Sequence, residues 1–241
     1  MIGLAVTLGG VLIGVMGWFM LRRSGSGWRI GRLLSAAPQR SLADAADMAR
    51  RGEEAYVRLH GRIDADEEFP GDDDKPIVFR RRRLQRRTGR SAWQTFDDER
   101  LAVPFGLLER GQRVAVDTDA LGDGLVVVPR ISSGTAADLT PDAAAAPIPE
   151  MRDDTLVRLR IEQVSAVDHG TASGVPRLGS EGETVLGPGL GRPLILTTLE
   201  LGEAMRILAA DQRRSLLVAS GLLVATPIVT LVGIVLILLA P

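Results

Sequence analysis

The stretch VRLHGRI, residues 57–63, decides the fold class. Val57, Leu59 and Gly61 alternate with polar residues, so one side is apolar and the other faces water, which is the pattern of a half-buried strand. We predict this strand over residues 55–63, with Tyr56 breaking the alternation. Similar short patterns follow at 77–87, 91–96, 101–105, 113–117, 125–130, 156–164, 170–176 and 193–197. Short strands at this spacing predict a mainly β domain, antiparallel and sandwich- or barrel-like, of the α+β class.

Helix and loop signals surround these strands. Ser41 and Asp44 form a capping-box pattern and Gly52 suits a helix C-cap, so we predict a short helix over residues 41–51. The segment 131–150 is rich in Ala, Pro and Ser-Gly and predicts an internal loop, and the Gly-rich segment 179–191 predicts a mobile hairpin loop.

Both ends of the chain are apolar. No charged residue occurs in 1–21 or in 215–241. Residues 2–21 and 216–240 are each long enough to cross a bilayer core of about 30 Å as a helix. We expect the first to be a retained anchor rather than a cleaved signal peptide, because no basic residue precedes it. The expected architecture is a β-rich domain at 41–214 flanked by two transmembrane helices, with 22–40 as a juxtamembrane linker.

Arginines near both apolar segments set the expected orientation. They lie on the domain side of each segment, at Arg22, Arg23, Arg29, Arg32, Arg206, Arg213 and Arg214. The positive-inside rule then predicts an integral protein of the cell membrane with a cytoplasmic domain and both termini outside. Gly10 and Gly14 form a GxxxG pair that predicts close helix packing; small residues scattered in an apolar run are the alternative.

The sequence excludes several kinds of chemistry. There is no Cys, so thiolate nucleophiles and Cys-ligated zinc are absent. His60 and His169 are far apart, and neither lies in a ligand motif. The chain contains no nucleophile-elbow, zincin or Walker motif, and the acidic stretch 64–74 does not match an EF-hand loop. We therefore predict no catalytic residue, no metal and no cofactor.

The segment RRRRLQRRTGR, residues 80–90, is the strongest charge feature. The residues proposed for an anionic contact are Arg80, Arg81, Arg82, Arg83, Arg86, Arg87 and Arg90. On a strand, Arg80 and Arg82 share one face, and Arg81 and Arg83 the other. Three interpretations stay open: pairing with the acidic stretch 64–74, contact with anionic lipid or an unknown protein partner, and contact with nucleic acid. Nucleic acid is the least favoured, because the net charge is −1 and aromatic residues are not interleaved.

Four motifs together resemble the GIDE domain, found beside the membrane in mitochondrial membrane-anchored ubiquitin ligases and in prokaryotic relatives. They are VRLHGRI (57–63), VPFGLLERGQRVAVD (103–117), RIEQVSAVDHGTASGVPRLG (160–179) and PLILTT (193–198). The resemblance implies a sensing or binding module. In those ligases a C-terminal RING, built on Cys and His zinc ligands, transfers ubiquitin.

The absence of Cys decides how that resemblance is interpreted. We expect a non-catalytic binding or scaffold module beside the membrane, because a RING cannot be built without Cys. The alternatives are an E3 ubiquitin ligase-like protein, as the family name implies, and a structural subunit of a membrane complex.

Overall fold

The computed structural model describes residues 6–12, 14–15, 18, 26–71, 75–89, 92–122, 124–140 and 148–238. The chain divides into two compact units, one of Ala36–Glu200 and one of Met1–Ser35 with Leu201–Pro241. The described helices are α1 (Ser26–Ala36), α2 (Leu42–Arg51) and α3 (Leu201–Leu238), with a short 3-10 turn at Ala136–Asp138. The strands are β1 (Val57–Ala65), β2 (Phe69–Pro70), β3 (Pro76–Thr88), β4 (Ala92–Ala102), β5 (Phe105–Glu109), β6 (Gln112–Val116), β7 (Leu125–Val126), β8 (Arg130–Thr135), β9 (Leu156–Ser165), β10 (His169–Leu178), β11 (Thr184–Gly187) and β12 (Ile195–Thr197).

The first sheet contains a closed ring of five strands. Their order is β1-β5-β6-β11-β10, and β10 pairs back with β1, while β12 and β7 extend the sheet from β10. All ring pairings are antiparallel except the parallel pairing of β6 with β11. Along β1 the buried residues Val57, Leu59 and Ile63 alternate with more exposed polar ones. The predicted half-buried strand is therefore confirmed.

The second sheet has the order β2-β3-β9-β8, with β4 also paired to β3. β3 and β4 form an antiparallel hairpin whose register shifts by one residue between Leu84 and Gln85. At its base Phe79 and Val164 are buried in the same apolar cluster as the interior residues of the first sheet. This sheet is therefore anchored in the main core.

Helix α2 matches its prediction down to the caps. Ser41 accepts a hydrogen bond from the Asp44 main chain and the Asp44 carboxylate accepts one from Ser41, so both halves of the capping box form. Gly52 ends the helix in the left-handed conformation, with φ of 67°, a geometry that favours glycine. Leu42 and Met48 are buried in the main core.

The prediction of two transmembrane helices, at 2–21 and 216–240, is corrected: no described helix is both long enough and apolar enough to cross a bilayer. Residues 6–12, 14–15 and 18 of the first predicted span are helical, and the other residues of that span lie outside the described ones. Helix α3 starts well before residue 216 and carries Glu203 and Arg206 near its start. The predicted location in the cell membrane, with a cytoplasmic domain, rested on those spans and is corrected with them.

Gly10 and Gly14 contact α3 within their own unit. A Cβ atom on Gly10 would lie 2.5 Å from Thr230 Oγ1, and one on Gly14 would lie 2.9 Å from Thr226 Cγ2. Such distances leave no room for a side chain, so both glycines mark a close helix-helix approach.

Three segment predictions also need correction. The expected loop 131–150 begins with β8, which pairs with β9 along its whole length. The expected mobile loop 179–191 contains β11, which is held between β10 and β6. The expected linker 22–40 contains helix α1. In the first two segments, main-chain pairing forms a strand although the local sequence shows no strand pattern.

Candidate functional site

Positive charge is concentrated in the second sheet. β3, β4, β8 and β9 together carry ten arginines and four carboxylates, a formal excess of six positive charges. The whole chain, by contrast, has a net charge of −1. The sheet is therefore strongly basic within a nearly neutral protein.

The strand register sorts these side chains onto two faces. Arg83 lies directly opposite Asp98 on β4 and Arg160 on β9, and residues directly opposite each other share a face. The face that contains Arg83, called the arginine face, is formed by Arg81, Gln85 and Arg87 of β3, Trp93, Thr95, Asp98 and Arg100 of β4, and Arg158, Arg160 and Glu162 of β9. It carries six arginines and two carboxylates.

Arg81 makes a bidentate ion pair on this face. Its Nε donates to Asp98 Oδ1 at 2.8 Å and its Nη2 donates to Asp98 Oδ2 at 2.7 Å. The Arg81 side chain is only 7% exposed. The two parallel hydrogen bonds fix the guanidinium plane, as in other bidentate arginine-carboxylate pairs.

Glu162 is shared by two arginines. Arg83 Nη2 donates to both Glu162 carboxylate oxygens, at 2.7 and 2.8 Å, and Arg160 Nε donates to Glu162 Oε1 at 3.0 Å. The Glu162 side chain is 6% exposed. The Arg83 Nε–H is buried and has no acceptor among the described residues. One carboxylate therefore balances two guanidinium groups, and the cluster keeps a positive charge.

A hydrogen-bonded row crosses the face nearer the β3–β4 turn. Arg158 Nε donates to Gln85 Oε1 at 2.7 Å, and Gln85 Nε2 donates to Thr95 Oγ1 at 2.9 Å. The Arg158 guanidinium carbon lies 4.3 Å from the centre of the Trp93 ring, a cation-π distance. These contacts direct the Arg158 side chain from β9 across β3 toward β4.

Two pKa shifts follow from this crowding. Hydrogen bonds from Arg81 hold the pKa of Asp98 below its usual value, against an opposing effect of burial. Burial lowers the pKa of Arg83; Glu162 opposes that change, while Arg81 and Arg160 add to it. The pKa shift of Asp98 therefore follows first from its hydrogen bonds with Arg81, and that of Arg83 first from burial.

The other face of the sheet carries the remaining described arginines of the predicted segment. Arg82 pairs with Glu99 at 3.6 Å, Arg86 donates to Gln94 Oε1 at 3.0 Å, and Arg80 lies 6.0 Å from the Phe69 ring centre. The predicted assignment of alternate arginines to opposite faces is thus confirmed. Arg90 lies outside the described residues.

The described ion pairs of the β3 arginines do not involve the acidic stretch 64–74. Those pairs use Asp98, Glu99 and Glu162. Asp64 and Asp66 pair instead with Arg113, at 3.1 and 3.6 Å, and residues 72–74 lie outside the described residues. In these described pairs the partners are residues of the two strands that flank β3.

Sequence reasoning missed the β4 and β9 half of this face. Arg158 and Arg160 alternate with apolar residues on β9, which is a local signal, but nothing local shows that β9 lies beside β3.

The same limit applies to His60 and His169, whose ring centres lie 6.1 Å apart across β1 and β10. The described residues contain no group of three or more metal-ligating side chains.

A separate concavity of about 400 Å³ lies beside α2 and is lined by Ala46, Arg50, Gln112, Arg113, Ala115, Leu178, Gly182, Glu183 and Thr184. Arg50 is paired with Asp47, and Arg113 is paired with Asp64. Its positive charges are thus already balanced, unlike those of the arginine face.

Comparison with known proteins adds no constraint, since no family model, no curated protein and no solved structure matches the chain. The interpretation rests on the geometry of the arginine face. Guanidinium groups offer fixed forks of N–H donors that match carboxylate and phosphate oxygens. The chemistry that this face supports is the binding of anions.

Proposed function

We propose that this chain is a non-catalytic binding module that holds an anionic partner on the arginine face. The observation that carries the proposal is the charge count of that face, six arginines against two carboxylates. A face of this kind attracts negative groups because its positive charges outnumber its negative ones.

The ion pairs within the face favour binding of a partner, because they hold three of the arginines in fixed positions. Asp98 and Glu162 fix Arg81, Arg83 and Arg160 in place, which lowers the entropy lost when a ligand binds. Arg87 and Arg100 are exposed. A partner therefore meets an ordered positive surface with accessible arginines on two of its strands.

The GIDE resemblance points to the same role, because in larger proteins that domain is the binding or sensing part. We extend the proposal to a GIDE-type scaffold whose partner is held by charge.

Binding to anionic polymers tests this function. Labelled poly-L-glutamate and labelled oligo-dT are titrated with the full-length chain, and affinity is read by fluorescence anisotropy. Raising the salt from about 50 to about 200 mM should weaken binding several-fold, because screening shortens the range of charge interactions. Replacing Arg87 and Arg100 together with Gln should weaken binding by about 3- to 10-fold, since each exposed pair contributes up to about 1 kcal/mol.

A charge-matched variant provides the control. Arg51 and Arg62 are exposed and lie outside the second sheet, so replacing both with Gln removes the same net charge. This control should bind within about 2-fold of the unchanged chain. Absence of salt-dependent binding, or equal losses in the two variants, would show that the arginine face is not the binding site.

A further inference from the structure

His60 and His169 lie close together on the outer side of the ring of strands in the first sheet. Gly61 of β1 pairs directly with Gly170 of β10, and each histidine precedes one of these glycines. Because the two strands are antiparallel, the local two-fold axis at the glycine pair relates the two histidines. Both histidine side chains are exposed, whereas both glycines are buried. The paired strands therefore present two imidazoles to the same side.

The ring of His60 is held by a neighbouring hydroxyl group. Its Nδ1 lies 3.1 Å from Thr171 Oγ1, and Thr171 is directly opposite His60 in the strand register. When Nδ1 donates its proton to this hydroxyl oxygen, the lone pair of Nε2 is left for a metal ion. Metal-binding histidines commonly use one ring nitrogen for such an orienting hydrogen bond and the other for the metal.

The distance between the rings suits a shared metal ion. An ion bonded to both rings at a metal–nitrogen distance of about 2.1 Å lies about 3.2 Å from each ring centre, so the centres can be at most about 6.4 Å apart. The observed separation is 6.1 Å, with the ring planes 18° apart. Rotation of the exposed His169 ring about its side-chain torsions then brings one of its nitrogens onto an ion bound to His60 Nε2.

The surroundings of the pair define which ions fit. Imidazole nitrogens suit Cu²⁺, Ni²⁺ and Zn²⁺, whereas Mg²⁺ and Ca²⁺ prefer oxygen ligands. The described residues add no third His or carboxylate ligand to this pair, so the other coordination positions are open to water or to a group from outside the chain. The exposed Arg62 lies opposite His169, and its positive charge opposes the binding of a cation.

We propose that His60 and His169 form an open two-histidine site for a divalent late transition metal ion, with Cu²⁺ bound most tightly of the three. This departs from the sequence-based expectation of no metal, because only the β1–β10 register brings the two histidines together. The site lies on the first sheet and does not depend on anion binding by the arginine face.

Copper titration of the untagged full-length chain tests the site. The chain has only two His and no Cys, so imidazole coordination counted by pulsed electron paramagnetic resonance reports on these two residues alone. We expect one Cu²⁺ per chain, bonded to two imidazoles. His60→Ala and His169→Ala should each weaken binding at least about tenfold and leave one imidazole on the ion, because the second ligand binds at a high effective concentration. Both side chains are exposed, so the metal-free Tm of each variant should stay within about 4 °C of the unchanged chain.

Two neighbouring positions test how the pair is arranged. Thr171→Val removes the hydroxyl that orients His60 and should weaken Cu²⁺ binding at least about threefold, whereas Thr171→Ser keeps the hydroxyl and should bind like the unchanged chain. Arg62→Gln removes the opposing charge and should strengthen binding about two- to fivefold.

Several results would overturn the inference. Two Cu²⁺ ions per chain with one imidazole each would show that the histidines do not share an ion. Unchanged affinity in both histidine variants, or the absence of imidazole coordination, would show that the pair is not a metal site. Equal affinities of Thr171→Val and Thr171→Ser would show that the hydroxyl does not position His60.

Discussion

Replacing Glu162 with Gln tests whether the ion-pair cluster stabilises the arginine face. The Glu162 side chain is 6% exposed and serves two guanidinium groups, whose own side chains are 19% and 21% exposed. Removing one partner of a buried ion pair typically costs 3–5 kcal/mol. Because both arginines keep some contact with water, we expect a value near the lower end, about 3 kcal/mol.

That free energy translates into a measurable melting shift. For a unit of this size 1 kcal/mol corresponds to about 2–4 °C, so Tm should fall by about 6–12 °C. The assay is thermal unfolding of the full-length chain, followed by circular dichroism at neutral pH. Glu99→Gln is the matched control, because Glu99 is 38% exposed and lies 3.6 Å from its arginine partner. It should lower Tm by less than about 4 °C.

A second substitution identifies the cause of the loss. In the Glu162→Gln background, Arg83→Leu removes a buried charge that has lost its carboxylate, so it should recover part of the lost stability. Equal Tm shifts for Glu162→Gln and Glu99→Gln, with no recovery in the double variant, would show that the buried Glu162 cluster does not stabilise the arginine face.

Three further changes test other parts of the account. The stability that the lowered pKa of Asp98 contributes is fully present above the unfolded-state value of about 3.9 and is lost as the pH falls through the folded value. The Tm difference between the unchanged chain and Asp98→Asn should therefore narrow in acid, and a constant gap would contradict this. Burial raises the pKa of Tyr56 to about 12, from 10.0, while its hydroxyl donates to Pro193 O at 2.7 Å. The stability that this residue contributes should be fully present below pH 10 and should fall between pH 10 and about 12. Denaturant titrations at several pH values should show this loss in the unchanged chain and not in Tyr56→Phe. A Cβ on Gly106 would lie 2.6 Å from a main-chain oxygen of β6, whereas one on Gly122 would meet nothing within 4 Å. Gly106→Ala should therefore lower the free energy of unfolding, measured with denaturant, by about 1–3 kcal/mol, and Gly122→Ala by less than about 0.5 kcal/mol. Similar losses in the two variants would contradict the close packing of β5 on β6.

Local signals in the sequence account for the elements that were predicted correctly. Helix α2 could be predicted because its caps, Ser41 and Gly52, lie within the sequence they terminate. β1 could be predicted because one of its faces is buried and the other is not. β8 could not, because its residues contribute main-chain pairing and no apolar alternation.

The candidate site was half predictable for a similar reason. The arginines of β3 are contiguous, so their division between two faces follows from strand geometry. Arg158, Arg160 and Glu162 join them only through the β3–β9 register, which pairs Arg83 with Arg160. Long-range register depends on the packing of the whole unit, and no short motif encodes it.

Arginine footprinting tests the binding claim most directly. The full-length chain is treated with phenylglyoxal, with and without poly-L-glutamate, and the modification of each arginine is followed by mass spectrometry. We expect bound polymer to slow modification of the exposed Arg87 and Arg100 by at least about threefold. We expect no change at Arg51 and Arg62, which are exposed outside the second sheet. Equal protection at all four arginines, or none at Arg87 and Arg100 while the polymer is bound, would contradict the binding claim.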